Sequence, residues 1–357
     1  MKKIKVGLIG FSVGGQVFHA PIIVGIEGLE LYKILARKEE QQKVVSEKYP
    51  SAQAVLTVED IIEDPEVDLV VVATSNDVHF SLAKKALEAG KHVVVEKPFT
   101  NTTAEADALI ALAKEKNRML SVHHNARWLS DFKTVKKIVE EERLGKLVAY
   151  EARYDRFRNY LRSNAWREKD LPGSGIHYDL GAHLIDQALH LFGHPEAVYA
   201  DLRKQRENVE AVDDFEIILY YPQLKVSLKG QMLAKRPTAR YMLFGRNGAF
   251  TKYGVDPQEG MLRAGLFPHE HPNWGKEDPL IFGYLDVLEE GEDISKRVVS
   301  EIGDTPSFYK NIAEVLLKGS ALAVRPEEAR DVIQILEMSE RSSAEGVKIE
   351  LTGKLIS

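Results

Sequence analysis

Ile4-Lys5-Val6-Gly7-Leu8-Ile9-Gly10-Phe11-Ser12-Val13-Gly14-Gly15 is the stretch on which the fold turns. Ile4–Ile9 is apolar and β-branched, which predicts a buried strand. Gly10–Gly15 is a glycine turn, and Gly15–Val24 has helical spacing. A strand, a glycine turn and a helix in that order make a phosphate-binding corner, because the helix N-terminus offers main-chain N–H groups and a favourable dipole. The dinucleotide fingerprint places glycine at its first, third and sixth positions. Gly10 and Gly15 fill the first and sixth, and Ser12 replaces the middle glycine. A serine is small enough for close approach and has a hydroxyl to donate to a phosphate oxygen. Gly10, Phe11, Ser12 and Gly15 are therefore candidate cofactor-binding residues.

Outward from this corner, short β-branched runs alternate with amphipathic stretches. Strands are expected at Leu29–Ala36, Ala54–Leu56, Val67–Ala73, His92–Glu96 and Met119–Val122. Helices are expected at Glu39–Tyr49, Glu59–Glu63, His79–Ala89 and Ala104–Lys116. Alternation of this kind predicts a doubly wound parallel sheet covered on both faces. After a helix at Asp131–Glu142 the grammar changes to longer period-two runs: Leu147–Phe157, Ala197–Arg206, Phe215–Tyr221, Lys225–Leu233 and Arg240–Phe244. These predict a large, mainly antiparallel open sheet. A helix at Asp179–Phe192 interrupts them, and helices at Phe308–Leu317 and Pro326–Ser343 close the chain. The expected organisation is α/β: a Rossmann-type dinucleotide domain over 1–125, then an α+β substrate and oligomerisation domain over 126–357.

The 357 residues carry 48 Lys+Arg against 54 Asp+Glu, a net charge of −6, so there is no basic footprint for nucleic acid. No apolar run approaches the roughly 20 residues of a membrane span. Zero cysteines exclude disulfides, thiolate nucleophiles and thiolate-bound zinc. Val6–Ile9 is broken by Gly7 and followed by Gly10, unlike a secretion signal, so a cytoplasmic protein is expected. Phe215–Tyr221 is apolar on both faces, with Ile218 and Tyr220 opposite Phe215, Ile217 and Leu219. An apolar outer face suggests cover by another subunit.

The second strand ends in Ala36-Arg37-Lys38. An acidic residue at this point binds the ribose hydroxyls of NAD, whereas cations suit the 2′-phosphate of NADP. Arg37 and Lys38 make NADP the preferred cofactor over NAD, although Glu39 and Glu40 follow directly. Lys97 stands in Glu96-Lys97-Pro98 at the carboxyl end of a strand, where ligands bind in such sheets. At about 100° per residue, Asp179, His183, Asp186 and His190 fall on one polar stripe of the expected helix.

Together these residues resemble the Gfo/Idh/MocA family of oxidoreductases. The resemblance runs over essentially the whole chain. It includes the glycine turn, Thr74-x-x-x-x-His79, Glu96-Lys97-Pro98, Asn125-x-Arg127-Trp128 and Gly175-x-x-x-Asp179-Leu180-Gly181-x-His183-x-x-Asp186. Trp166-Arg167-Glu168 and Tyr253-Gly254-x-Asp256-Pro257-Gln258-Glu259 resemble the scyllo-inositol dehydrogenase subgroup. The resemblance implies a hydride transfer between a nicotinamide and a secondary alcohol of a cyclic polyol or sugar, with Lys97, Asp179 and His183 as catalytic groups. It also implies cofactor contacts at Thr74, Asn76, His79, Glu96, Lys97 and Asn125. Substrate contacts are implied at Lys97, Arg127, Tyr154, Arg156, Trp166, Arg167, Asp179 and His183. A homodimer or homotetramer is implied, with no metal, nucleic-acid or membrane partner. The residue types suit the chemistry: an imidazole titrates near neutrality as a base requires, and an ammonium stabilises a developing alkoxide.

Two other classes draw on the same residues. A metal-dependent hydrolase or lyase would use the Asp179/His183/Asp186/His190 stripe, but one helix face does not easily give four ligands to one ion. A non-catalytic dinucleotide-binding regulator of the same fold would be expected to lack Lys97 or His183, and both are present.

Overall fold

A computed structural model describes residues 3–162, 166–351 and 353–357. Compactness divides the chain into two units, and the first break falls between Asn125 and Ala126. The division differs from two consecutive segments. Gln258–Trp274 and Asp304–Arg330 return to the first unit, which otherwise comprises Met1–Asn125. Side chains explain the return: Ser121 Oγ donates to the Val324 carbonyl at 2.8 Å, and Tyr309 bonds His19.

The first unit holds β1 (Ile4–Ile9), β2 (Leu29–Leu35), β3 (Gln53–Val55), β4 (Leu69–Val72), β5 (His92–Val95) and β6 (Leu120–Val122). They form a parallel sheet in the order β3-β2-β1-β4-β5-β6. Leu69, Val70, Val71 and Val72 are fully buried, as a run covered on both faces by helices requires. The direction of winding reverses between β1 and β4, and such a switch point opens a crevice at the carboxyl ends of the strands. Residues from five of the six strand ends are the candidate cofactor contacts. Gly10 follows β1, Arg37 and Lys38 follow β2, Thr74 and Asn76 follow β4, Glu96 and Lys97 follow β5, and Asn125 follows β6.

The second unit is built on a nine-stranded sheet among the described residues. Its strands are β7 (Leu147–Arg153), β8 (Ala197–Arg203), β9 (Asp214–Tyr220), β10 (Lys225–Gln231), β11 (Tyr241–Gly245), β12 (Gly248–Lys252), β13 (Gly283–Glu289), β14 (Glu292–Val298) and β15 (Ile349–Glu350). The order is β14-β13-β12-β11-β7-β10-β9-β8-β15, antiparallel except for the β7/β10 pair. β9 alternates buried Phe215, Ile217 and Leu219 with half-exposed Glu216, Ile218 and Tyr220. The helix Ala182–Phe192 lies on the buried face, where Tyr241 Oη donates to Gln187 Oε1 at 3.1 Å and Phe192 meets the Tyr150 ring. β12 to β14 went unread in the sequence. β14 (Glu292-Asp293-Ile294-Ser295-Lys296-Arg297-Val298) is mostly exposed, so it carries no apolar alternation to betray it. No helix of the described residues is long and apolar enough to cross a membrane.

Candidate active site

In the first unit the glycine turn has no room for side chains at the first and sixth positions of the fingerprint. Gly10 adopts φ +104°, and a Cβ there would strike the Ala73 carbonyl. A Cβ at Gly15 would strike the carbonyl of Gly10. Ser12 and Val13 are exposed at the tip. This narrow, solvent-open turn at the start of a helix fits a dinucleotide pyrophosphate. Phe11 is different: its ring is buried against Tyr49, with centroids 6.2 Å apart, and its carbonyl accepts from Gln16 Nε2 and Gln41 Nε2 at 3.0 and 2.7 Å. Arg37 and Lys38 are both exposed and make no ion pair among the described residues.

The expected α-helix from Gly15 to Val24 begins instead as a π-helix over Gly14–His19, then continues as α over Ala20–Ile23. The wider turn accompanies a fully buried His19. Its Nδ1 lies 2.6 Å from Tyr309 Oη and its Nε2 lies 2.7 Å from Glu96 Oε1. His123 Nδ1 reaches the same oxygen at 2.9 Å, and Glu96 Oε2 accepts from the Lys97 main-chain N–H at 2.9 Å. One proton order satisfies all four contacts with neutral imidazoles. Tyr309 donates to His19, His19 and His123 donate to Glu96, and the Lys97 amide donates to the other carboxylate oxygen. Burial, then the His123 ring, lowers the His19 pKa, in keeping with a neutral ring. Burial opposes ionisation of Glu96, but the contacts from His123 and His19 outweigh it and hold the carboxyl well below its usual range. The nitrogen and oxygen ligand atoms of His19, Glu96 and His123 all lie within 4.8 Å of one another, and Glu96 Oε1 is the shared hydrogen-bond partner of both rings. The effect is to fix the main chain from which the half-buried Lys97 side chain leaves.

Beyond Lys97 the chain is pinned a second time. The Lys97–Pro98 peptide is cis, and His79 Nδ1 lies 2.9 Å from the Pro98 carbonyl. His79 Nε2 faces the Thr74 carbonyl at 3.3 Å, so this buried ring braces the ends of β4 and β5 against each other. Burial lowers its pKa. Asn76 is also buried, with Nδ2 donating to Asn101 Oδ1 at 3.3 Å. Asn125 is half-buried at the start of a short 3-10 turn.

In the second unit the expected helix over Asp179–Phe192 also begins in π form, over His177–Gly181, before the α-helix Ala182–Phe192. Hydrogen bonds to the fifth residue replace those to the fourth, so a constant 100° step does not apply across this turn. The π turn shifts Asp179 out of that register, while His183, Asp186 and His190 keep their α-helical spacing but meet different surroundings. Asp186 is buried and takes a two-pronged contact from Arg127, at 2.9 and 2.6 Å, which turns the Arg127 guanidinium inward. His190 is exposed, with Nε2 3.1 Å from Lys136 Nζ, rather than a core histidine. Asp179 and His183 remain half-exposed. Arg167 Nε stands 3.3 Å from Asp179 Oδ1 while its guanidinium stacks on Trp166. The Tyr154 ring is 6.0 Å from the His183 ring, and its other neighbour is the Arg240 guanidinium, 3.2 Å from the ring centroid. Arg156 lines a cleft with Asp179, joined by Arg158, Arg162 and Arg206. These last three, like His19 and Tyr309, were not singled out in the sequence.

Residues 4–124 match an oxidoreductase family described by its NAD-binding Rossmann fold, and residues 136–351 match that family's C-terminal α/β domain. The chain belongs to the Gfo/Idh/MocA oxidoreductase family. Members similar to it over nearly their whole length include scyllo-inositol 2-dehydrogenase (NADP(+)) IolW of Bacillus subtilis, 40% identical over 96% of this chain and 94% of that one. The uncharacterized oxidoreductase YdgJ of Escherichia coli is 42% identical over 95% of this chain and 96% of its own. Among solved structures, the oxidoreductase yvaA of Bacillus subtilis superposes with a TM-score of 0.94 at 39% identity, covering 98% of this chain and 99% of that one. This family member is an oxidoreductase enzyme with an NAD(P)-binding Rossmann domain.

Proposed function

We propose that this enzyme is an NADP-preferring dehydrogenase that oxidises a secondary alcohol of a cyclic polyol or sugar of the scyllo-inositol type, the ring and its hydroxyls being what the relatives suggest and any further group on it being left to the site. The reading rests chiefly on the whole-length similarity to the NADP-dependent scyllo-inositol dehydrogenase. Exposed Arg37 and Lys38 at the end of β2 support NADP, since a 2′-phosphate there would meet two cations without an ion-pair partner.

Gly10, Ser12 and Gly15 would hold the pyrophosphate, and Arg37 and Lys38 the 2′-phosphate. When bound, the nicotinamide supplies the hydride acceptor. His183 takes the hydroxyl proton as general base. Lys97 would stabilise the negative charge that develops as the alcohol is oxidised. Asp179 orients the substrate hydroxyls, with Arg167 held against it. Glu96, with His19 and His123 on its carboxylate, positions Lys97 through the main chain. The apolar outer face of β9 would be covered by a second subunit in a dimer or tetramer, and a cytoplasmic setting is proposed with it.

The test is reduction of NADP and NAD by a panel of inositols and aldoses, with both cofactors offered to the same enzyme. Turnover with NADP preferred is expected. Cofactor binding without oxidation of any polyol or sugar would favour the regulatory alternative.

A further inference from the structure

The cleft beside Asp179 is over-supplied with positive charge. It is a shallow cleft open to solvent, and Arg156, Arg158, Arg162, Arg167 and Arg206 all line it. Their carboxylate partners are fewer. Arg206 is fully engaged, with Nε 2.8 Å from Asp213 Oδ2, both groups buried, and a second nitrogen on the Tyr160 carbonyl at 2.8 Å. Glu168 is shared by three arginines at long range: Arg206 at 3.5 Å, Arg162 at 3.8 Å and Arg158 at 3.9 Å. Asp179 faces Arg167 at 3.3 Å. Arg156 has no acidic partner among the described residues. Five guanidiniums thus face three carboxylates, leaving two positive charges uncompensated.

This surplus is partly withdrawn from water. Arg158 is about one-fifth exposed, and Ile176, Val212 and Met232 form an apolar wall of the same cleft. Burial first, then repulsion from Arg162 and Arg156, lowers the Arg158 pKa despite the pull of Glu168. Arg162 and Arg167 reach further into solvent, about half exposed, so the main cost in the free protein is repulsion between like charges, which an anion relieves. Guanidinium forks match the planar oxygens of carboxylate and phosphate groups.

We propose that this cleft binds an oxyanion carried by the substrate, so that the preferred substrates are sugars or polyols bearing a carboxylate or a phosphate rather than neutral ones. The proposal rests on the dehydrogenase reading and names the substrate class for it. The anionic group sits among Arg156, Arg158 and Arg162, and Asp179 repels it from the position reserved for the reacting alcohol.

The experiment compares kcat/KM with NADP for glucose, glucuronate, glucose 6-phosphate and scyllo-inositol. It also measures binding of glucuronate and of inorganic phosphate to the cofactor-free protein by calorimetry. One charged sugar is expected to exceed glucose and scyllo-inositol at least tenfold, and which one does so separates carboxylate from phosphate. In Arg158→Gln and Arg162→Gln variants that ratio should fall toward one, with calorimetric anion binding weakened in parallel. Two outcomes overturn the proposal: a neutral substrate preferred with ratios unmoved by either variant, or no anion binding by the folded wild type. If no substrate turns over but anion binding persists and is lost in the variants, the dehydrogenase reading fails while the oxyanion site stands.

Discussion

The two charged clusters of this molecule are built in opposite ways. Around Glu96 a carboxylate meets His19, His123 and the Lys97 amide at 2.7 to 2.9 Å, and burial is nearly complete. Around Asp179 the guanidiniums outnumber the carboxylates, and most of their ion-pair distances fall between 3.3 and 3.9 Å. A tightly hydrogen-bonded, buried network fixes geometry, whereas an open, over-charged one is left for a ligand to complete. Position is the product of the first, recognition that of the second.

Breaking the chemistry that these clusters serve gives the largest effect. Lys97→Ala and His183→Ala are each expected to lower kcat about 10²–10⁴-fold, the usual range for a positioned acid–base group. Circular dichroism and thermal unfolding of both variants should stay near wild type. Next comes the closed cluster itself. Glu96→Ala leaves two buried imidazoles and an amide without their acceptor, and removing one partner of a buried charged network costs about 3–5 kcal/mol. Urea unfolding measures this, and a loss below 1 kcal/mol would remove Glu96 from its positioning role.

Acid should also distinguish the clusters. His19 and His79 have folded pKa values lowered by burial, so the folded state resists protonation of both rings. Their contribution is complete above the unfolded value near 6.5 and declines as pH falls below it. Glu96, depressed well below the usual carboxylate range, adds stability above about pH 4.5 that is lost at lower pH. Melting temperature should therefore drop steadily from pH 7 to pH 5 and further below 4.5. A flat profile between 7 and 5 would show that the rings are not held neutral. The smallest expected effect lies at the edge of the first sheet: Arg37→Ala with Lys38→Ala should reduce the kcat/KM preference for NADP over NAD about tenfold, near 1.4 kcal/mol.

The difference between the clusters also explains what could be read in advance. The parallel sheet was legible because each buried strand announces itself as a β-branched run ending in a turn, and the residues after β1, β2, β4 and β5 inherit their position from that order. Glu96-Lys97-Pro98 and Asp179 to His183 stood out as motifs. The network behind Glu96 did not, since its partners His19 and His123, and Tyr309 bonded to His19, lie 77, 27 and 213 positions from Glu96 in sequence. No local period links such distant groups; only the fold does. The two π-turns were invisible for a related reason: a five-residue hydrogen-bond step leaves the same apolar spacing as an ordinary helix over so short a span. Asp186 and His190 share one α-helix with His183, and their different fates come from what packs on them: Asp186 is buried on Arg127 and His190 is exposed. The arginines of the cleft were readable only in part, because Arg156 and Arg167 sat beside motif residues while Arg206 arrives from beyond β8.

The most direct measurement is the rate of NADPH formation from scyllo-inositol and the charged sugars by wild type, Lys97→Ala and His183→Ala at saturating cofactor. The account predicts turnover by the wild type on at least one of these substrates and its collapse in both variants, with each variant folded. Rates in the variants close to wild type would contradict it.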